Sequence, residues 1–159
     1  MAQDIPVTTA VRLLRENKID FEPFFYEYEE KGGTAVSSRE LGFDEHIIIK
    51  TLVMEDDAKK PMIVLMHGDH QVSTKQLARE LGVKSVKPCE PEIANRHSGY
   101  VVGGTSPFGT RKTMPVIAQK TIADLPFILI NGGKRGFLVK ISAASMLQLL
   151  KPQLFEITA

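Results

Sequence analysis

A run of seven residues, Gly103-Gly104-Thr105-Ser106-Pro107-Phe108-Gly109, does most to limit what this chain can fold into. Three glycines, a proline and two hydroxyls in succession build neither a packed helix nor a regular strand. Glycine brings backbone freedom without a packing surface, and proline has no amide to donate. Such a run makes a loop whose backbone N–H groups face outward with no side chain in the way, so that it approaches a ligand closely and bonds its oxygens. It follows Tyr100-Val101-Val102, which reads as a short strand, and leads into Thr110-Arg111-Lys112. A second loop of the same kind is expected at Asn131-Gly132-Gly133-Lys134-Arg135-Gly136. Two Gly-Gly loops, each with cations beside it, point to a site for a polar, oxygen-rich ligand.

Around these loops the pattern is one of short strands broken irregularly by helices. Thr8 or Thr9 caps a helix over Ala10–Glu16, and Phe21–Tyr28 reads as an aromatic strand. A helix over Ala35–Leu41 ends at Gly42, and Asp44 caps a short helical segment over Glu45–Ile49. Thr51–Met66 reads as a hairpin turning at Asp56–Lys60, with Lys50 at the change from helix to strand. Thr74–Leu81, closed by Gly82, is an amphipathic helix; Ser85–Val86 is a short strand; Glu90–Arg96 is a helix with Pro91 in its first turn. Strands follow around Met114–Ala118, Phe127–Ile130 and Gly136–Ile141, and Ser142 caps a closing helix over Ala143–Leu150 that Pro152 stops. This is not the even alternation of a doubly wound fold. It predicts an α+β protein with a mixed, mostly antiparallel, barrel-like sheet and surrounding helices.

At 159 residues, with no internal repeat, low-complexity tract or linker, the chain is expected to form one domain with a substantial core. Its net charge of +1 gives no basic field, so a partner held by long-range electrostatics alone is not expected. A local patch remains available, because Lys50, Arg111, Lys112, Lys134, Arg135 and Lys140 lie in or near the glycine loops. One cysteine, Cys89, excludes an internal disulfide and fits a reducing compartment. The start, Met-Ala-Gln-Asp-Ile-Pro, shows no signal-peptide pattern, and no apolar run reaches membrane-spanning length. A cytoplasmic protein without membrane contact is expected.

The familiar nucleotide fingerprints are absent. A P-loop requires Gly-Lys-Ser/Thr opening a helix, whereas Gly109 is followed by Thr110 and Arg111; Gly103, Gly104 and Gly109 do not give the G-x-G-x-x-G spacing either. Ser106 is not in a nucleophile elbow. His67-Gly68-Asp69-His70 offers metal-ligand residue types but sits in an apparent turn, with His46 and His97 isolated, and no metal site is expected. Cys89 reads as a small buried residue rather than a nucleophile. Lys50 stands out, because Ile47-Ile48-Ile49 and Leu52-Val53-Met54 flank it with apolar groups. An ammonium held partly desolvated in a cleft acts strongly on a nearby phosphate or carbonyl. The alternative is a helix-end lysine that snorkels to water.

Several pieces occur together and in order: Phe24-Phe25-Tyr26-Glu27-Tyr28, Ile49-Lys50-Thr51-Leu52-Val53, Gln76-Leu77-Ala78-Arg79-Glu80-Leu81-Gly82, the first glycine loop, and Gly132-Gly133-Lys134-Arg135-Gly136. In this combination the chain resembles, over nearly its whole length, the YbaK-type proteins and the editing domain inserted in bacterial prolyl-tRNA synthetases. The resemblance implies a barrel-like mixed sheet and hydrolysis of a mischarged aminoacyl-tRNA, with neither metal nor cofactor. The free-standing YbaK-like proteins remove cysteine from tRNA-Pro, so the implied partners are aminoacyl-tRNA, specifically tRNA-Pro, and prolyl-tRNA synthetase. The resemblance makes Lys50 the functional lysine, followed by Thr51, and matches Tyr26 to a strand tyrosine near the pocket. It lays Gly103, Gly104, Thr105, Ser106, Pro107 and Gly109 against the terminal adenosine and ester. Asn131, Gly132, Gly133, Lys134 and Arg135 form the second wall.

Hydrolysing an activated ester calls mainly for positioning and charge stabilisation. The amides of Gly103 and Gly104 would steady the carbonyl oxygen, and Lys50 would hold phosphate or ribose oxygens. No protein nucleophile is visible; in the YbaK-like group the substrate's own thiol is the attacking group. The chain departs from the family pattern at Asn131, where serine is common, and at Leu138, near where an acidic residue often follows the loop. These departures bear on amino-acid preference, cysteine or alanine. A non-catalytic tRNA-binding or synthetase-associated module is the competing expectation.

Overall fold

A computed structural model describes residues 4–159. Residues 1–3, on which part of the signal-peptide reading falls, lie outside the described residues. Helices occupy Thr9–Glu16 (α1), Gly33–Leu41 (α2), Thr74–Leu81 (α3), Pro91–Ser98 (α4) and Ala143–Leu150 (α5). Strands occupy Glu22–Phe25 (β1), Ile48–Asp56 (β2), Pro61–His67 (β3), Val86–Pro88 (β4), Val116–Gln119 (β5), Phe127–Lys134 (β6), Phe137–Ser142 (β7) and Gln153–Phe155 (β8). Short 3-10 turns cover Glu45–Ile47 and Lys120–Asp124.

The expected caps at Thr8, Asp44 and Ser142 form: the Thr8 and Ser142 hydroxyls accept from amides three residues on, and Asp44 accepts from the His46 amide. Ser73, not foreseen as a cap, does the same for α3 by accepting from the Gln76 amide. Gly42 and Gly82 end their helices in the left-handed conformation.

The eight strands form one mixed sheet in the order β1-β7-β6-β2-β3-β5-β8, with β4 attached to β2. The pairs β1–β7, β7–β6, β2–β3 and β2–β4 are antiparallel; β6–β2, β3–β5 and β5–β8 are parallel. This is the α+β class with a mixed sheet that the element pattern predicts. β3 reads as an unbroken apolar run because both its faces are covered. Ile63 and Leu65 pack in the cluster with α1, α4 and α5, while Met62, Val64 and Met66 pack with Leu77 and Ala78 of α3.

Three local expectations are corrected. β2 begins at Ile48, so Lys50 lies inside a strand, paired with Met66, and not at a helix end. Tyr100–Val102 is not a strand, because side chains take up its backbone groups. Ser98 Oγ accepts from the Tyr100 amide at 3.1 Å and Asn95 Oδ1 from the Val102 amide at 3.0 Å. Finally, Asn131–Lys134 is not a loop. It continues β6 through a bulge opposite β7, leaving only Arg135-Gly136 as the turn.

Candidate active site

The site begins as a gap in the sheet. Along one edge, β2 pairs with β6 only at Ile48 and Ile49, and with β4 only from Met54 onward. Between these, residues 50–53 face a cleft of about 650 Å³, a size suited to a small-molecule moiety. Its far walls come from α4, the segment 101–105 and the β6–β7 bulge. Ile48, Leu52, Val53, Pro88, Ala94 and Leu138 make much of its surface apolar.

Lys50 stands in this gap, half-buried. Its Nζ donates to the carbonyl oxygen of His70, in the turn after β3. Burial pulls its pKa below that of an ordinary lysine, against the opposing pull of the Glu45 and Asp69 carboxylates. The next residue, Thr51, has a buried hydroxyl with no hydrogen-bond partner. An unpaired buried hydroxyl is costly, and this one is closed off from solvent, so it meets a polar ligand atom only when the side chain turns toward the cleft.

Of the other expected site residues, Tyr26, Gly103, Thr105, Asn131 and Arg135 line the same cleft. Burial, with Tyr28 beside it, raises the Tyr26 pKa. Gly103 takes φ +93° and packs on Tyr28, where a Cβ would come within 2.5 Å of the phenol oxygen. Arg135 reaches back over the mouth: its Nε donates to Val102 O at 3.0 Å and its guanidinium lies 4.9 Å from the Tyr28 ring centre.

The remaining expected residues do not reach the cleft. The Gly104 amide donates to Val101 O at 2.7 Å, so it is not the oxyanion donor expected of it. Gly104 is instead where the two loops meet, since a Cβ there would lie 2.7 Å from the Arg135 nitrogen. Ser106 is fully buried, and its Oγ accepts from the Phe108 amide at 3.2 Å. Pro107 is buried, Gly109 packs on Thr9, Gly132 on Phe137 and Gly133 on Tyr100. Lys134 is exposed and lines a smaller neighbouring hollow of about 450 Å³, shared with Tyr26 and Arg135. Of the cations near the loops, Lys140 is engaged elsewhere, its Nζ 4.3 Å from the Phe127 ring centre.

Asn131 holds the two loop regions together. Its Oδ1 accepts from the Gly133 and Lys134 amides at 2.6 and 3.1 Å, while its Nδ2 donates to Gly103 O and Lys134 O, each at 3.3 Å. It is directly opposite Leu138 in the β6–β7 ladder. The two departures from the family pattern are therefore one cross-strand pair in the cleft wall. Cys89 also lines the cleft: burial and the Glu55 carboxyl push its thiol up to about 11, which leaves it protonated and inert at neutral pH.

Sequence reasoning did not place Tyr28, Thr34, Asn95 or Val101 at the cleft. Tyr28, two residues from Tyr26 in an aromatic run, carried the only signal for it. The expectation that His46 is isolated is also corrected: it stacks on His67 at 3.8 Å and bonds Asp69.

Residues 29–149 match the family model described as the aminoacyl-tRNA editing domain. The chain belongs to that family. It is 28% identical over 95% of its length, and 93% of the relative's, to an Enterococcus faecalis protein, EbsC, named as a candidate Cys-tRNA(Pro)/Cys-tRNA(Cys) deacylase. It is 28% identical to a proline–tRNA ligase of Levilactobacillus brevis over 54% of this chain, a match that spans only 15% of the ligase. Among solved structures, a candidate trans-editing enzyme for prolyl-tRNA synthetase superposes with TM-score 0.82 at 17% identity, covering 98% of this chain and 99% of that one. A hypothetical protein superposes with TM-score 0.86 at 16% identity, covering 95% and 99%. These structures share the fold. No helix among the described residues is long and apolar enough to cross a membrane.

Proposed function

We propose that this chain is a trans-acting aminoacyl-tRNA deacylase, a single editing unit over residues 1–159 that hydrolyses the ester of mischarged tRNA-Pro in the cytoplasm, with Cys-tRNA(Pro) as its principal substrate. One observation carries the reading: in a member of the aminoacyl-tRNA editing family, the half-buried Lys50 lines one cleft together with Thr51 and Gly103. An aminoacyl ester is already activated, so catalysis rests on position and charge. Lys50 holds phosphate or ribose oxygens. The Thr51 hydroxyl and the Gly103 amide are the donors for the ribose and the ester carbonyl, the Gly104 amide being bonded to Val101 O.

The protein need not supply a nucleophile. The cysteinyl thiol attacks its own ester carbon, the carbon–oxygen bond breaks, and the ribose oxygen takes up the thiol proton. Water then opens the cyclic thioester. The apolar wall that includes Leu138 suits a small, weakly polar side chain better than a charged one. Prolyl-tRNA synthetase is the partner that would deliver the substrate, since a net charge of +1 gives weak, salt-sensitive tRNA binding.

The test is release of amino acid from Cys-, Ala- and Ser-tRNA-Pro. Release of cysteine in preference to the other two supports the reading, and preferential release of alanine moves the specificity. No release above buffer from any of the three overturns catalysis and leaves a tRNA-binding module.

A further inference from the structure

The turn that anchors Lys50 carries a second constellation that the deacylase reading does not use. His46, in the 3-10 turn before β2, and Asp69 and His70, in the turn after β3, place one ligand atom each within 4.8 Å of one another. His46 Nδ1 lies 3.0 and 3.2 Å from the two Asp69 carboxylate oxygens, and His70 Nε2 lies 3.8 Å from Asp69 Oδ1. A tetrahedral ion with bonds of about 2.0–2.2 Å to nitrogen and oxygen needs ligand atoms roughly 3.3–3.6 Å apart, so side-chain rotation must close the widest gap, which is at most 4.8 Å.

The set is also held in advance. The His46 ring stacks on the buried His67 ring at 3.8 Å and 6°, and its amide bonds Asp44 Oδ1 at 3.0 Å. The His70 ring stands edge-on to the His46 ring, 5.4 Å away. All three ligand side chains are between 35% and 39% exposed, open enough to admit an ion and leave a fourth position to water. The Lys50 ammonium nearby opposes a second cation, and the Glu45 carboxylate offsets it.

We propose that His46, Asp69 and His70 form a binding site for one divalent cation of the imidazole-preferring kind, Zn²⁺ or Co²⁺. Two imidazoles and one carboxylate select such ions over Mg²⁺ or Ca²⁺, which take oxygen ligands. The ion would tie the turn after β3 to the segment before β2. That turn supplies the carbonyl to which Lys50 donates, so the ion would brace the lysine from behind without entering the cleft. The inference concerns binding alone and stands whatever substrate the cleft takes.

Untagged, chelator-stripped protein is titrated with Zn²⁺ by calorimetry, and with Co²⁺ by visible absorption, at pH 7.5. The expected result is one ion per chain with micromolar or tighter affinity, and the strong visible bands of four-coordinate Co²⁺. H46A, D69N and H70A should each weaken binding by about tenfold or more, since even outer partners of a metal cost that much. H97A, on α4, and C89S should leave it unchanged. Should a ligand variant lose its fold, proton spectra of the Co²⁺-loaded wild type decide instead: two hyperfine-shifted imidazole N–H signals support the site. Absence of stoichiometric binding, binding that survives all three ligand substitutions, or binding lost in C89S or H97A overturns it.

Discussion

Lys50 and Thr51 are neighbours with opposite demands on the protein. Lys50 carries a charge into a half-buried position, held by the His70 carbonyl. Its substitution by alanine removes one hydrogen bond but also the cost of burying an ammonium, so stability should stay within about 1 kcal/mol of wild type. Deacylation should fall by about 10² or more, the usual effect of removing one preorganised charge-stabilising group. A thermal melt beside a deacylation time course checks both, and a folded, fully active Lys50→Ala protein would remove Lys50 from the mechanism. Thr51 presents a buried hydroxyl without a partner. Valine fills the same space without the polar atom, so Thr51→Val should leave stability unchanged or raise it by about 1–2 kcal/mol. The same change should lower kcat/KM, because the ligand loses a donor. A stabilised variant with undiminished kcat/KM would show that the hydroxyl never meets substrate. The sequence pointed to Lys50 because an ammonium among isoleucines is conspicuous. Nothing in it showed that Thr51 lacks a partner, which depends on the sheet splitting beside it.

At the scale of elements, the site is made by a bulge and a gap. The β6 bulge replaces ladder bonds with the amide of Asn131, which joins the Gly103 segment to Gly133 and Lys134 through four hydrogen bonds. Such a side chain acts on specificity through the wall it shapes, and its polar atoms are already engaged within the protein. Asn131→Ala leaves two amides and two carbonyls without their partners and should destabilise by about 1–3 kcal/mol. Faster hydrogen exchange should appear at Gly133 and Lys134. Unchanged exchange at those amides would show that the bulge holds without Asn131. A serine here offers one acceptor and one donor and should fall between. The two glycine regions were legible as sites of close approach, and they are, but largely to each other and to the core. Gly104 meets Arg135, and Gly109 meets Thr9. Composition alone does not say whether an open backbone face meets a ligand or another part of the same chain. For this reason Gly103 and Thr105 face the cleft while Ser106 and Pro107 do not.

Across the whole molecule, helices with side-chain caps and glycine stops were readable almost to the residue, as Thr74–Leu81 and Ala143–Leu150 show. The parallel pairings β2–β6 and β5–β8 were not, since local patterns record an element but not its partner. The three-residue β8 after Pro152 is too short to leave a pattern of its own. The same long-range order hides a polar chain through the core. His67, fully buried on β3, lies 2.7 Å through Nδ1 from His46 O and 2.7 Å through Nε2 from Thr121 Oγ1. With the proton on Nδ1, the ring donates to the carbonyl and accepts from the hydroxyl. Gln119 Nε2 donates on to Thr121 at 3.2 Å, and Gln119 Oε1 accepts from the Ile157 amide at 2.7 Å, tying the C-terminal segment to the same chain. The titratable groups facing His67 are His46, His70 and Asp69, and burial, the largest influence, holds its pKa below the ordinary 6.5. The unfolded chain therefore takes up a proton near pH 6.5 that the folded one refuses. Stability contributed by the neutral ring is present above that pH and is lost as pH falls toward the folded value, with a slope of at most about 1.4 kcal/mol per unit for one proton. His97 shifts the same way, through burial and the nearby Lys112 and Arg96. Asp69, whose carboxylate is held below its ordinary 3.8, matters only at lower pH. Denaturant unfolding between pH 7 and 5 should show the acid slope reduced in His67→Gln and persisting in His97→Gln. An unaltered slope in His67→Gln would place the acid-sensitive group elsewhere.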